Sequence, residues 1–159
     1  MKNLKLTLKA WPAITLITVA LCCLTQNIAK LFGIELPDQS IIDIVKAYAG
    51  WNWRFVFIVA QIVIILPVIE ELLFRGLLFK LPSRWGGKGA TITAVIVSSV
   101  LFSAAHYIDQ PFPNSAFIAL FAFGIAQCWL YRKTNAIWSP MLNHALFNLT
   151  NLLLMFIVE

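Results

Sequence analysis

The feature that most constrains this chain is a succession of long stretches without a formal charge. Phe55 to Ile69 is fifteen uncharged residues, Gly89 to Ile108 is twenty, and Thr134 to Val158 is twenty-five. Overall the 159 residues are 60% hydrophobic and only 12% charged, where a soluble domain has about 25% charged residues. Mean hydropathy is +0.83. At about 20 residues per crossing, the length allows four to six membrane helices in a single domain. We read an all-α, polytopic transmembrane bundle of about five helices, occupying residues 1–159 as one integral-membrane domain. A leading helix covers about 10–32, and a core covers about 54–158.

The segments follow in order. Lys2, Lys5 and Lys9 precede an apolar run that begins at Ala10. No small-x-small cleavage site follows, so this is read as an uncleaved first helix. Residues 33–53 form a mixed connector in which Ile41, Ile42, Ile44 and Val45 suggest a short interfacial helix, with Trp51 and Trp53 as interfacial anchors. The second helix runs from about Arg54 to Phe79 or Lys80, with Pro67 inside it to kink or loosen the backbone. Pro82 to Lys88 reads as a basic turn, and the third helix spans 89–108. Asp109, Pro111 and Pro113 mark another turn. Residues 114–131 form the fourth helix and 134–158 the fifth.

The net charge of +5 is not a nucleic-acid signal, because the basic residues lie between apolar segments. They report topology instead. With the N-terminus inside, the inner side collects Lys2, Lys5, Lys9, Lys80, Arg84, Lys88, Arg132 and Lys133 and no acid. The outer side holds Lys30, Lys46 and Arg54 against Glu35, Asp38, Asp43, Asp109 and Glu159. This asymmetry predicts N-in, C-out. Cys22, Cys23 and Cys128 fall in apolar runs without paired spacing and read as small buried residues, neither disulfides nor metal ligands.

Against this background Glu70, Glu71 and Arg75 stand out, since a charge at the centre of a membrane helix costs roughly 2.5–3.5 kcal/mol. Glu71 and Arg75 are four apart and about 40° from each other around a helix, close enough to pair. Glu70 is about 100° from Glu71 and about 140° from Arg75, so it points elsewhere. The economical division is a neutralised supporting pair and one free carboxylate, Glu70, as general base. A structural ion cluster of all three is the plainer alternative.

The chain's two histidines both lie in membrane segments. His106 follows Phe102-Ser103-Ala104-Ala105, whose small residues would admit a close neighbouring helix. His144 shares a face with Asn148, four residues on. Glu70 with His106 can deprotonate a held water, and His144 with Asn148 can donate to one developing oxyanion. That set describes addition of water to a peptide carbonyl. Ser103 has no triad setting. A zinc site of Glu, His, His and Asn fits on paper, but there is no HExxH spacing and Asn is a poor zinc ligand. No metal and no cofactor are therefore expected.

The ordered motifs Glu70-Glu71…Arg75, Phe102…His106 and His144…Asn148, on successive apolar helices, resemble the CPBP (CAAX protease and bacteriocin-processing, or Abi) family of intramembrane endopeptidases. The resemblance covers residues 70–148. It implies metal-free catalysis in which Glu70 activates water with His106, while His144 and Asn148 stabilise the oxyanion and Glu71 and Arg75 support them. It also implies a membrane-associated protein or peptide substrate within the lipid bilayer. Family members that trim prenylated proteins carry more helices around this core. The short chain therefore points to a prokaryotic inner-membrane protein acting in peptide or bacteriocin maturation or on C-terminal sorting tails. The competing reading is a non-enzymatic immunity or partner-binding membrane protein. A proton or ion pathway is a weaker third, because the first and fourth helices offer few polar residues.

One expectation conflicts with the rest. If the second helix ends at Lys80 and the third begins at Gly89, Glu70 lies about ten residues from that end. His106 then lies about seventeen residues in, roughly 25 Å up at 1.5 Å per residue. The third helix must then tilt strongly or start elsewhere for the two to meet.

Overall fold

A chain whose solvent is lipid turns its apolar side chains outward, and this one does. In the computed structural model, which describes residues 1–36, 52–108 and 115–157, Leu16, Ile17, Ile64, Ile69, Ile92 and Leu153 are each more than half exposed. The enclosed positions instead include Thr7, Ser98, Ser99, Ser103, Gln127, Ser139 and Asn143. Small and hydroxyl-bearing residues let membrane helices approach closely and bond across their interfaces.

The described residues contain helices and no strands. Helix α1 is Lys2–Leu31. The second helix, α2, is continuous but changes pitch: α-helical at Trp53–Ala60, π-helical at Gln61–Ile65, α-helical at Leu66–Glu71, π-helical at Leu72–Phe79 and α-helical at Lys80–Trp85. Helices α3 (Gly87–Ala105), α4 (Ala116–Thr134) and α5 (Trp138–Ile157) complete the bundle. By length and composition four helical stretches can cross a membrane: Lys2–Leu31, Trp53–Arg84, Gly87–Ala105 and Trp138–Ile157. The protein is a multi-pass membrane protein. Helix α4 is the most enclosed, with ten buried residues on one broad face from Ala116 to Thr134, and α1, α3 and α5 all pack on it.

Helix α1 begins eight residues before the expected Ala10. Its first turns are tied down, with Asn3 Nδ2 donating to Thr134 O at 2.9 Å and Thr7 Oγ1 bonding Ser139 Oγ at 2.5 Å. Further along, Trp11 Nε1 donates to Thr150 Oγ1 and Cys22 Sγ to Ser115 Oγ. Residues 7, 11, 15, 18 and 22 form one helical stripe, so the leading helix is part of the bundle. Among the cysteines only Cys128 is buried; Cys22 is half-buried and Cys23 exposed, because Cys23 lies one step around the helix from the packed stripe. All three are free thiols.

The turn after α2 is shorter than the sequence suggests. Pro82 falls at the third position of Lys80–Trp85, just after the π-helical stretch whose last bond runs from Lys80 N–H to Arg75 O, a change of pitch at which a missing N–H is tolerated. The helix therefore carries on past the proline, and the reversal falls at Gly86 and Gly87. A side chain at Gly86 would collide with Ala90, and Gly87 has φ +58°. This narrows the depth conflict. Counted from Gly86, Glu70 lies sixteen residues back along α2 and His106 twenty residues on along α3, a difference of four residues, about 6 Å at 1.5 Å per residue. Ser98 Oγ donating to Phe74 O at 2.7 Å sets the register between the two helices.

The connector at 37–51, including the expected interfacial helix and Trp51, and the turn at 109–114 lie outside the described residues.

Candidate active site

Pro67 shapes the helix that carries the charges. In the π-helical stretch before it, Leu66 N–H goes to Gln61 O. The next carbonyl, that of Ile62, would pair with residue 67, which as proline has no N–H. Asn148 on α5 supplies the missing donor, with Nδ2 2.9 Å from Ile62 O. The expected loosening at Pro67 is thus present as a π-bulge, a common form of helix irregularity at functional sites. It docks α5 against α2.

One turn further on, Arg75 Nη1 donates to Glu71 Oε1 at 2.9 Å, and both side chains are fully buried. The guanidinium is held on two other sides. Its Nη2 donates to Gly124 O at 3.2 Å, and its Cζ sits 4.5 Å from the centre of the Phe102 ring. Gly124 is required at this contact, since a Cβ there would lie 2.9 Å from Ser99 Cβ. Helices α3 and α4 touch backbone to side chain at this level.

His144 joins the two glutamates. Its Nδ1 lies 2.9 Å from Glu71 Oε1, and its Nε2 lies 3.6 Å from Glu70 Oε2. A carboxylate only accepts, so Nδ1 carries the proton of the shorter contact, and 3.6 Å is too long for a direct hydrogen bond on the other side. Glu70 differs from its neighbour: its side chain is 25% accessible where that of Glu71 is 0%. The division expected from helical geometry, with Glu71 on Arg75 and Glu70 turned away, is the arrangement observed.

His106 caps the C-terminus of α3. Its Nδ1 lies 2.9 Å from Phe102 O; a carbonyl cannot donate, so Nδ1 bears hydrogen, and in the neutral ring Nε2 keeps its lone pair. Phe102 sits between the two histidines, with ring centres 4.8 Å from His106 and 5.8 Å from His144. It is fully buried and packs edge-on against Phe74 at 5.3 Å. No hydrogen bond joins His106 to Glu70 among the described residues. The small-residue contact expected beside His106 lies one turn earlier. Ser103 Oγ donates to Phe117 O and Ser99 meets Gly124, while Ala104 and Ala105 are exposed.

The structure adds participants to which the sequence assigned no role. Gly124 acts through its carbonyl, Phe102 through its ring, and Asn143 is fully buried beside His144 with neither amide atom hydrogen-bonded. Only buried polar character inside an apolar run could have pointed to Asn143.

Among the described residues, no three His, Cys, Asp or Glu side chains are disposed to hold a metal ion. Glu71 is held by Arg75 and His144 Nδ1 by Glu71, so these donors do not form a ligand set and no step is assigned to a metal.

Comparison with known proteins fits this arrangement. The family model described as "Type II CAAX prenyl endopeptidase Rce1-like" matches residues 51–150, which contain every residue named above as catalytic or supporting. A curated relative, "Putative membrane peptidase YdiL" of Bacillus subtilis (strain 168), is 29% identical over 122 residues. The match covers 74% of this chain and 43% of that protein, so the chain spans under half of the relative's length. No solved structure matches the chain. With well over half of its length matched by the family model, the chain belongs to the Rce1-like family of type II CAAX prenyl endopeptidases.

Proposed function

We propose that this protein is an intramembrane endopeptidase that hydrolyses a peptide bond of a membrane-associated protein or peptide, with Glu70 activating the attacking water. The observation that carries this reading is the position of His144 between a fully buried, Arg-paired Glu71 and a partly accessible Glu70. One carboxylate is committed to structure, and its neighbour is available to a reactant.

In this scheme Glu70 takes a proton from water and the hydroxide adds to the scissile carbonyl. His106 assists through Nε2, the nitrogen left free by its bond to Phe102 O. The oxyanion receives hydrogen bonds from His144 Nε2 and from the second N–H of Asn148, whose first N–H serves Ile62 O. Donation from His144 Nε2 requires the doubly protonated ring. Its charge and that of Arg75 then balance those of Glu70 and Glu71. On collapse of the tetrahedral intermediate, Glu70 returns its proton to the leaving amine, and a carboxylic acid and an amine are released. The apolar surroundings strengthen each of these interactions relative to water.

The whole chain works as one integral-membrane domain, with α4 as a fifth crossing and the basic helix ends on the inner side, in the inner membrane of a prokaryotic cell. Its substrate class is a maturing peptide, a bacteriocin precursor or a C-terminal sorting tail. The test compares peptide termini in membranes of cells expressing wild type, Glu70→Ala and Glu71→Ala. Loss of one set of termini in Glu70→Ala at unchanged protein level is the expected result. Unchanged termini in Glu70→Ala would end the catalytic reading and leave a structural polar core.

A further inference from the structure

A second polar site lies at the C-terminal end of α2. A cavity of about 250 Å³ opens where the C-terminal turn of α2, the first turn of α3 and the C-terminal turn of α4 meet. Lys80, Arg84 and Arg132 line it together with Asn135. Its apolar wall is the edge-to-face pair Phe79 and Tyr131, ring centres 5.9 Å apart. Ser83 and Thr91 are also on the wall, but their hydroxyl protons go to Lys80 O and Gly87 O. The remaining donor-bearing side chains of the lining are those of two arginines, one lysine, one asparagine and Tyr131.

None of the three cations has an ion-pair partner among the described residues, where the ion pairs involve Glu70 and Glu71 alone. Of the three described carboxylates, Glu35 lies beyond the far end of α1 and the other two lie at the candidate active site. Lys88 and Lys133 lie next to the cavity in sequence, and the bond from Asn3 to Thr134 brings the lysine-bearing start of α1 to the same end. Among the described residues the local field is therefore strongly positive. Asn135 takes the left-handed conformation (φ 50°) that ends α4 and turns the chain at the rim.

We infer that this cavity is a binding site for the phosphate of an anionic ligand at the membrane surface. Two arginines on different helices can each present a planar fork to phosphate oxygens, a geometry that guanidinium groups match and a diffuse set of lysines does not. The volume suits a headgroup phosphate, being smaller than the roughly 300–1,000 Å³ usual for whole drug-sized ligands. The site is independent of the proteolytic reading.

Two sources share this chemistry, an anionic phospholipid and a soluble phosphate. The full-length protein in detergent micelles would be titrated with phosphatidylglycerol or phosphatidylcholine and bound lipid read by native mass spectrometry. Inorganic phosphate would be titrated in a separate calorimetric arm. We expect at least tenfold preference for phosphatidylglycerol, lost in the double variant Arg84→Gln/Arg132→Gln. Lys2→Gln/Lys5→Gln removes the same charge at the same end without touching the cavity and should stay within twofold of wild type. Inorganic phosphate binding that depends on the same arginines supports the site with a soluble anion as its source. Equal retention of the two lipids by wild type, with no phosphate binding, overturns the inference. So does an equal loss in both double variants, which would mean a diffuse basic surface. Should the arginine double variant fail to fold, Lys80→Gln takes its place under the same criteria.

Discussion

Asn148 donates its amide to the carbonyl of Ile62 at 2.9 Å, the carbonyl that Pro67 leaves without a helical partner. An asparagine of α5 thus repairs a backbone defect in α2 one turn before the glutamates. Two roles can be separated, because the defect can be removed from the other side. Asn148→Ala should lower stability by about 1–3 kcal/mol, the cost of an unsatisfied buried carbonyl. In a Pro67→Ala background, where residue 67 regains its N–H, most of that loss should vanish. Cleavage should stay about 10²–10³-fold down, as for a lost oxyanion donor. If cleavage recovers together with stability, measured by thermal unfolding in detergent and by substrate turnover, Asn148 is a packing residue alone.

Gly124 serves two neighbours at once, offering its carbonyl to Arg75 and its bare Cα to Ser99. Gly124→Ala should push α3 from α4 and lengthen the arginine contact, at about 1–3 kcal/mol for overpacking. Adding Ser99→Gly makes room for the new methyl and should return more than half of the loss in the same unfolding assay. No recovery would mean that the helix contact is looser than described.

The buried pair predicts an asymmetry. Arg75→Met leaves Glu71 charged, buried and facing only His144, and should cost about 3–5 kcal/mol. Glu71→Gln keeps an acceptor for Arg75, which also retains Gly124 O, and should cost less. Quantitative immunoblotting of membranes, with unfolding of whatever can be purified, checks the order. Equal abundance of Arg75→Met and wild type would show that the pair contributes little.

Helix α1 lies outside residues 51–150 matched by the family model, yet it is bonded to α5 through Thr7 and Ser139. A double-mutant cycle of Thr7→Val and Ser139→Ala should give a coupling of about 0.5–1.5 kcal/mol. A coupling near zero would indicate that α1 is held by apolar contact only.

What the sequence determined by itself is what one helix or one composition can encode. Uncharged runs of helix length make a membrane bundle whatever the partners. The Glu71–Arg75 pair is a contact within one turn, so its spacing alone predicts it, and the bond from His106 to Phe102 O is equally local. The ordered motifs also carried the family. The tertiary structure decided the rest, because relations between helices depend on where each one ends and how far it has rotated by then. Pro82 looks like a terminator but lies inside α2, just after the second of two π-helical stretches that shift its register. Neither effect can be read from a single window of residues. That is why Glu70 and His106 appeared farther apart in depth than they are, and why the partners of Asn148 and Arg75 include backbone carbonyls of Ile62 and Gly124. Any residue can offer a carbonyl, so no side chain in the sequence marks which one will be used.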